Sequence, residues 1–419
     1  MKIIEVIGNQ TLSGQIRIGG AKNSAVALIP ACILGSDDIT LTNVPDITDI
    51  DVLCKTLEYL GVSVKRASQS LVINSSNMEN KNIPQELSGK LRASYYFMSS
   101  LLAKYKHVEM HFPGGCSIGS RPIDQTLKVY RALGATVKEE GDLFTIDANE
   151  LVGSHIELDM PSVGATVNAL IVSCIAKGET IITNAAKEPE ISDLIDMLNS
   201  MGANIKGAGT STLTIDGVEV LGGCCHNVIP DRIEAGTYVI LGCLVGNYLT
   251  IDNINPDHIK SLTDKLYEMG CDLEINSDNI VVNKSENYKS INIETKGYPG
   301  YATDLQQPLV ALLTQCNGIS KVNETIYENR YMNVPELNKM GANITVDGRI
   351  ATINGKTPLK GCEVNATDLR GGACLLLAGL TAEGKTTIRN AHYILRGYEE
   401  IAEKLANCGA KINILEVAD

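Results

Sequence analysis

The stretch Ser192–Ile205, SDLIDMLNSMGANI, decides the fold: an amphipathic helix with one wet face runs to Met201, stops at Gly202, and gives way to an alternating apolar strand. Glycine just past the last helical turn accepts the left-handed conformation that other residues avoid, so it marks where a helix ends and a strand begins. The same punctuation occurs six times, as LGVSV at Gly61, LGATV at Gly134, MGANI at Gly202, MGCDL at Gly270, MGANI at Gly341 and CGAKI at Gly409. Successive glycines lie 73, 68, 68, 71 and 68 residues apart, so the chain reads as six units of about 70 residues.

Upstream of each glycine lies a second shared feature, an apolar helix opened by polar residues: AKNSAVALIPACI, LRASYYFMSSLLA, VGATVNALIVSCI, IEAGTYVILGCLV, DLQQPLVALLTQC and LRGGACLLLAGLT. Such helices are apolar nearly all round and are expected to be buried, in contrast to the one-sided helices that precede the glycines. Each unit therefore carries an inner helix, an outer helix and several short strands. Three units per half predict two similar domains, divided near Ile229–Pro230, with the cleft between them as the natural ligand site. The positive dipole ends of the inner helices would favour anions there.

The bulk chemistry narrows the partners. At 419 residues the chain exceeds a single core, and 44% hydrophobic with 20% charged residues is the balance of a globular protein in water. A net charge of −13 makes the surface repel nucleic acid and anionic membrane, so an anionic ligand must meet a local basic pocket. The start, MKIIEVIGNQTLSG, lacks the pattern of a signal peptide. No uncharged apolar run reaches the roughly 18 residues of a membrane span, and Val163 to Ala176 reads as a buried helix. Twelve scattered cysteines are expected to be reduced thiols in a cytoplasmic protein. Cys224, Cys225 and His226 are adjacent and unsuited to chelating one ion, and no cofactor or metal is expected.

Four groups of residues carry chemistry. In PGGCSIGSRPID, Pro113–Asp124, a thiol at Cys116 sits in a Gly-rich bend with Arg121 five residues on, an arrangement that favours thiolate; a small filler in a turn is the competing reading. Lys22 and Asn23 in GGAKNS open the first inner helix, where an ammonium and an amide suit phosphate. Arg92, Arg370 and Arg396 stand at helix starts or turns, and Arg121 and Arg396 each precede their repeat glycine by 13 residues (134 − 121 and 409 − 396), so they occupy equivalent places in the second and sixth units. Asp304 and Asp368 both lie in the string ATDL at the start of an inner helix, where an aspartate is most often an N-cap; residue chemistry alone does not choose between them as a base.

Taken in order, GGAKNS, LRAS, PGGCSIGSRP, SVGAT, KEPEI, IPDRIEAGT, TDLQQP, ENRYMNVPEL, ATDLR and RGYE resemble the UDP-N-acetylglucosamine 1-carboxyvinyltransferase family over nearly the whole chain. The sister family, 5-enolpyruvylshikimate-3-phosphate synthase, is similar in its sixfold repeat, but its GSKS-type and GNAGTA-type segments are missing here. The resemblance implies a two-domain inside-out α/β barrel of six βαβαββ repeats, three per domain. Repeats 1–3 would occupy residues 22–229, and residues 1–21 would cross over to join residues 230–419. It implies transfer of the enolpyruvyl group of phosphoenolpyruvate to the 3-hydroxyl of UDP-N-acetylglucosamine, the committed step of peptidoglycan synthesis, with consequences for cell shape and division. It implies no cofactor and no obligate protein partner. The competing readings are an enolpyruvyl transferase for another hydroxyl acceptor, or a noncatalytic nucleotide-sugar-binding paralogue.

By the same resemblance, Cys116 is the loop thiol that donates a proton and the target of fosfomycin. Lys22, Asn23, Arg121, Arg370 and Arg396 match the phosphoenolpyruvate ligands, with Lys22 and Arg396 also catalytic. Asn23, Arg92, Arg121, Pro122, Ile123, Asp124, Gln125, Val163, Gly164, Asp304 and Ile326 match the nucleotide-sugar contacts, and Asp304 matches the base for the sugar hydroxyl. This chain departs from the pattern at Leu395, where an acidic residue commonly precedes the arginine of RGYE, at Thr48 and Met160, where some relatives have lysine, and at Thr126, where some have histidine.

Overall fold

All six repeat glycines adopt positive φ, at 82°, 93°, 105°, 91°, 101° and 99° in chain order, in the computed structural model of the chain. Residues 1–112 and 122–417 are described. Each glycine closes an outer helix (Thr48–Tyr59, Asp124–Ala132, Pro189–Ser200, Lys260–Met269, Val334–Lys339 or Ile401–Asn407) and releases the chain into a strand of the outer sheets. A Cβ at such φ costs roughly 1–2 kcal/mol, which is why glycine recurs there.

The chain forms two compact units, one comprising Met1–Gly19 with Pro230–Asp419 and the other lying within residues 20–229. In the second, the inner helix Tyr96–Tyr105 packs against Lys22–Ala31 and Val163–Ser173. In the first, the inner helices Arg232–Val245, Thr303–Leu313 and Leu369–Thr381 pack pairwise. Their side chains are buried on nearly every face, Leu28, Ile29, Leu309, Leu312, Leu375 and Leu376 being fully inaccessible. Each such side chain contributes about 1.5–3 kcal/mol on leaving water. Helices therefore fill each core and sheets form its outside: an inside-out α/β barrel.

In every four-stranded sheet one edge strand runs parallel to its neighbour and the other pairings are antiparallel. Where that edge strand comes from defines the topology. Cys224–Asn227 supplies it to the first unit's sheet, beside Ile39–Thr42, whereas Leu12–Arg17 supplies it to the fourth, beside Gly246–Asp252. Lys2–Ile7 completes the sixth sheet between Lys385–Arg389 and Lys411–Glu416, with Ile4 opposite Ile388 and Val6 opposite Ile412. The exchange passes through two short crossings. Ala21 N–H donates to the Ile229 carbonyl at 2.7 Å in one unit, and Asp231 N–H donates to the Gly19 carbonyl at 2.9 Å in the other.

No helix among the described residues is long and apolar enough to cross a membrane. The described cysteines are free thiols, most of them buried. His226 Nε2 lies 2.8 Å from Asp193 Oδ1, so this residue of the Cys-Cys-His run has a partner in the fold, and no cluster of His, Cys, Asp or Glu among the described residues has the makings of a metal centre.

Candidate active site

In the unit of residues 20–229, Lys22 is the first residue of its helix, capped on the N-side by Ala21 without any side-chain bond. Its ammonium pairs with Asp49 Oδ2 at 3.0 Å, and both side chains are nearly buried. Asp49 lies in the first turn of Thr48–Tyr59, so a negative charge there also meets the positive end of that helix. Asn23 follows, half-buried, and Ser24 donates its hydroxyl to Asp193 Oδ2.

Arg92 opens a short 3-10 turn, Arg92–Tyr95, with its guanidinium 5.4 Å from the Tyr95 ring centre and 4.9 Å from that of Phe112. Rings on a cation of this kind orient it at little cost in desolvation. The Tyr95 hydroxyl presses on Gly164: a Cβ added there would stand 1.6 Å from the phenol oxygen, so any larger residue would have to displace the tyrosine. Gly164 and Arg92 thus meet through one tyrosine, and Val163, half exposed beside them, begins the helix that Ser162 caps.

Asp124 and Gln125 open the helix Asp124–Ala132, while Pro122 is exposed and Ile123 is buried in the core. The Gln125 amide is committed to Asp159: its Nε2 donates to Oδ2 at 2.8 Å and its Oε1 accepts from the backbone N–H at 2.9 Å. Hydrogen bonds from Lys128 and Gln125 hold the exposed Asp159 carboxyl below its ordinary range. Among the positions of departure, Met160 is exposed and Thr126 buried. Cys116 and Arg121 lie outside the described residues.

In the other unit, Asp304 is the focus. It is the second residue of Thr303–Leu313, whose N-cap is Ala302, so it does not cap the helix. Its Oδ1 accepts from Arg330 Nη2 at 2.8 Å, and its Oδ2 accepts from Arg370 Nη2 at 3.1 Å and Nε at 3.2 Å. Burial alone would raise this carboxyl, but the charges of Arg370 and Arg330 outweigh it and hold Asp304 far below the usual carboxylate range. Asp368, by contrast, is the cap its string suggested: Oδ1 accepts from the Arg370 and Gly371 backbone N–H groups, both at 3.0 Å.

Gln307 knits the two aspartates together. It donates to Asp368 Oδ2 at 3.1 Å and to Asn333 Oδ1 at 3.2 Å, and accepts from Arg330 Nε at 3.2 Å. The Arg370 guanidinium lies 5.3 Å from the Tyr398 ring centre. Two carboxylates and two guanidinia leave the cluster neutral. Arg330 Nη1 and Arg370 Nη1 are buried without a hydrogen-bond partner among the described residues, and each stranded donor costs about 1–3 kcal/mol. Arg330, Gln307, Asn333 and Tyr398 escaped the residue-level reading, although each lies in a quoted segment.

Arg396 follows the short helix His392–Leu395 and is half-buried; burial and its positive charge together push His392 below its ordinary pKa. Leu395, in place of an acid, packs against the hydrophobic core of this unit. Ile326 stands at an exposed turn, 39% accessible, with its backbone N–H bound to Glu324.

The chain matches the family described as EPSP synthase (3-phosphoshikimate 1-carboxyvinyltransferase) over residues 6–405. It is 48% identical over 412 residues to UDP-N-acetylglucosamine 1-carboxyvinyltransferase 2 of Geobacillus kaustophilus, spanning 98% of this chain and 96% of that one. The corresponding protein of Bacillus subtilis is 47% identical over 413 residues, with the same coverage of each. The chain belongs to the UDP-N-acetylglucosamine 1-carboxyvinyltransferase family. Among solved structures it is similar to the enolpyruvyl transferase NikO from Streptomyces tendae, at 26% identity and a TM-score of 0.90 over 100% of this chain and 99% of that one. EPSP synthase from Acinetobacter baumannii shares the fold at a TM-score of 0.76 and 19% identity, covering 99% of this chain and all of that one. Members of this family are carboxyvinyl transferases, and the fold and the repeat periodicity read from the glycines agree with that placement.

Proposed function

We propose that the enzyme transfers the enolpyruvyl group of phosphoenolpyruvate to the 3-hydroxyl of UDP-N-acetylglucosamine, releasing phosphate, as the committed step of peptidoglycan synthesis. Relatives at 47–48% identity over nearly the whole chain carry that name, whereas the shikimate enzyme stands at 19% and shares the fold alone. The observation in the site that carries the reading is Asp304, an ionised carboxylate clamped between the buried guanidinia of Arg330 and Arg370.

In the proposed reaction the sugar hydroxyl adds to the central carbon of phosphoenolpyruvate while the methylene carbon takes a proton. The resulting ketal then expels phosphate and loses that proton. Cys116 is the proposed donor of the proton and Asp304 the proposed acceptor of the hydroxyl proton. Paired as it is, Asp304 is a weak base. Phosphate or carboxylate oxygens that engage Arg370 would divert part of its positive charge, raising the basicity of Asp304 when the reactant is bound. Lys22, Asn23, Arg121, Arg370 and Arg396 are proposed to hold phosphoenolpyruvate, with fixed cations stabilising the charge that develops. Arg92, Pro122 to Gln125, Val163, Gly164 and Ile326 are proposed to hold the nucleotide sugar. The setting is proposed to be the cytoplasm.

Phosphate release from phosphoenolpyruvate is measured with UDP-N-acetylglucosamine and, separately, with shikimate 3-phosphate. Release is expected with the first and none above background with the second. Equal turnover with both overturns the assigned acceptor, and release with neither overturns the enzymatic reading.

A further inference from the structure

We infer that Glu324 is a positioning residue that ties the turn at Ile326 to the helix end bearing Asp304; this rests on the proposed function of that site. Glu324 is fully buried, yet among the described residues its carboxylate is bonded to no cation, Arg349 reaching only its backbone carbonyl at 3.3 Å. Its charge is met by four short donors instead. Oε1 accepts from Ile326 N–H at 2.9 Å, from Thr295 Oγ1 at 3.0 Å and from Tyr327 N–H at 3.1 Å, while Oε2 accepts from Thr303 Oγ1 at 2.8 Å. A buried carboxylate satisfied entirely by hydroxyl and amide donors is expensive to assemble and holds every donor in place.

What those donors belong to gives the arrangement its meaning. Thr303 is the first residue of the helix and the neighbour of Asp304. Ile326 is the exposed turn residue proposed to meet the nucleotide sugar, and the Tyr327 ring lies 5.2 Å from the Arg330 guanidinium that grips Asp304. Thr295 follows the strand Asn292–Glu294 and its hydroxyl accepts the Thr325 N–H at 2.9 Å, which doubles the hold on the turn. The helix needs such outside support. Pro308, in place of an N–H donor, removes the i to i−4 bond that would have reached the Asp304 carbonyl, and no side chain caps Ala302. One carboxylate thus sets the position of the base, of the turn and, through Tyr327, of the arginine between them. The two carboxylate oxygens divide the labour, one for the turn and one for the helix.

The decisive variant is Thr303→Val, which deletes the single bond to the helix and keeps the shape. Expected is a fall in kcat of about 10-fold and a several-fold rise in KM for UDP-N-acetylglucosamine, with KM for phosphoenolpyruvate nearly unchanged and the melting temperature lowered by a few degrees, since Oε2 loses its donor. Thr303→Ser should restore wild-type values because it keeps the hydroxyl. Glu324→Gln, whose oxygen can still take the turn's donors and whose amide can donate to the Thr303 hydroxyl, should shift the kinetics less than Thr303→Val. Should Glu324→Gln fail to fold, the two Thr303 variants decide alone. Unchanged kinetics in Thr303→Val, an equal rise in both KM values, or no recovery in Thr303→Ser overturns the positioning role. A wild-type enzyme inactive with UDP-N-acetylglucosamine overturns the function itself, a separate result read in the same assay.

Discussion

Replacing Asp304 by Asn removes one charge, changes almost no volume, and tests the charge cluster and the proposed base together. Arg330 and Arg370 are each 3% exposed at the side chain and Asp304 is 26% exposed. Breaking a buried pair by deleting one partner costs about 3–5 kcal/mol, because a charge is left uncompensated. Asparagine keeps one oxygen to accept from the guanidinia, and Asp304 is partly open to water, so a loss at or just below the bottom of that range is expected, about 2–3 kcal/mol. For a folding unit of this size each kcal/mol shifts the melting point by roughly 2–4 °C, giving a loss of about 5–10 °C. Because the folded state holds the Asp304 carboxyl far below the value of about 3.9 it has when unfolded, the unfolded chain takes up this proton first as pH falls. The stabilisation is therefore complete above about pH 5 and drains away below about pH 4. Calorimetry of both proteins from pH 8 to pH 3 should give a constant gap in melting point that narrows only at the acid end. An asparagine variant that melts at or above wild type near neutrality, or a gap that stays constant down to pH 3, refutes the reasoning. Phosphate release by the variant should fall by at least 10²-fold.

Gly164→Ala should weaken nucleotide-sugar binding and lower stability, because the added Cβ would sit 1.6 Å from the Tyr95 hydroxyl oxygen; adding Tyr95→Phe should recover part of the loss, and no recovery in melting or in KM would mean that the oxygen is not the obstacle. Cys116→Ser should lose most turnover while Cys116→Asp retains it, since a carboxylic acid can donate the proton that a hydroxyl holds too tightly; full activity in the serine variant removes Cys116 from the mechanism. Fosfomycin should alkylate Cys116 in the wild type, faster with nucleotide sugar present, and spare Cys116→Asp; peptide mapping that finds the adduct on another cysteine rejects this thiol as the target.

The repeat was legible because its signal is backbone-driven and local. A helix that must stop and turn into a strand needs positive φ at one residue, and six glycines satisfy that need without reference to anything distant. The apolar helices were legible for the same kind of reason, since a segment with no polar face has no stable place except inside. Strand exchange was not legible from the repeat. Leu12–Arg17 and Cys224–Asn227 have the length and alternation of ordinary edge strands, and nothing within either says that its partner lies more than 180 residues away. Only the resemblance raised the expectation that the first strand crosses over.

The site divides along the same line, between what a residue can do and where the fold takes it. Lys22, Arg370 and Asp304 stand out in sequence because charge at the start of an apolar helix is conspicuous. Arg330 and Glu324 do not, because they sit in the polar stretch between strand and helix, where charge is ordinary; their importance comes from being buried, at 3% and 0% exposure. The string ATDL makes the point most sharply, since it occurs twice at equivalent places and yields two different aspartates. At Asp368 the helix starts one residue later, with Leu369, so the carboxylate falls on the cap and is spent on the Arg370 and Gly371 N–H groups. At Asp304 the helix starts one residue earlier, with Thr303, so the carboxylate falls inside the first turn and is free to reach Arg330 and Arg370. The difference of two residues in helix start goes with the Thr303 hydroxyl, which at this copy is held by Glu324, whereas the Thr367 hydroxyl at the other bonds Asp368 itself. The chemistry proposed for Asp304 would thus depend on a buried glutamate twenty residues downstream, which is a reason four identical letters do not settle which aspartate to propose as the base.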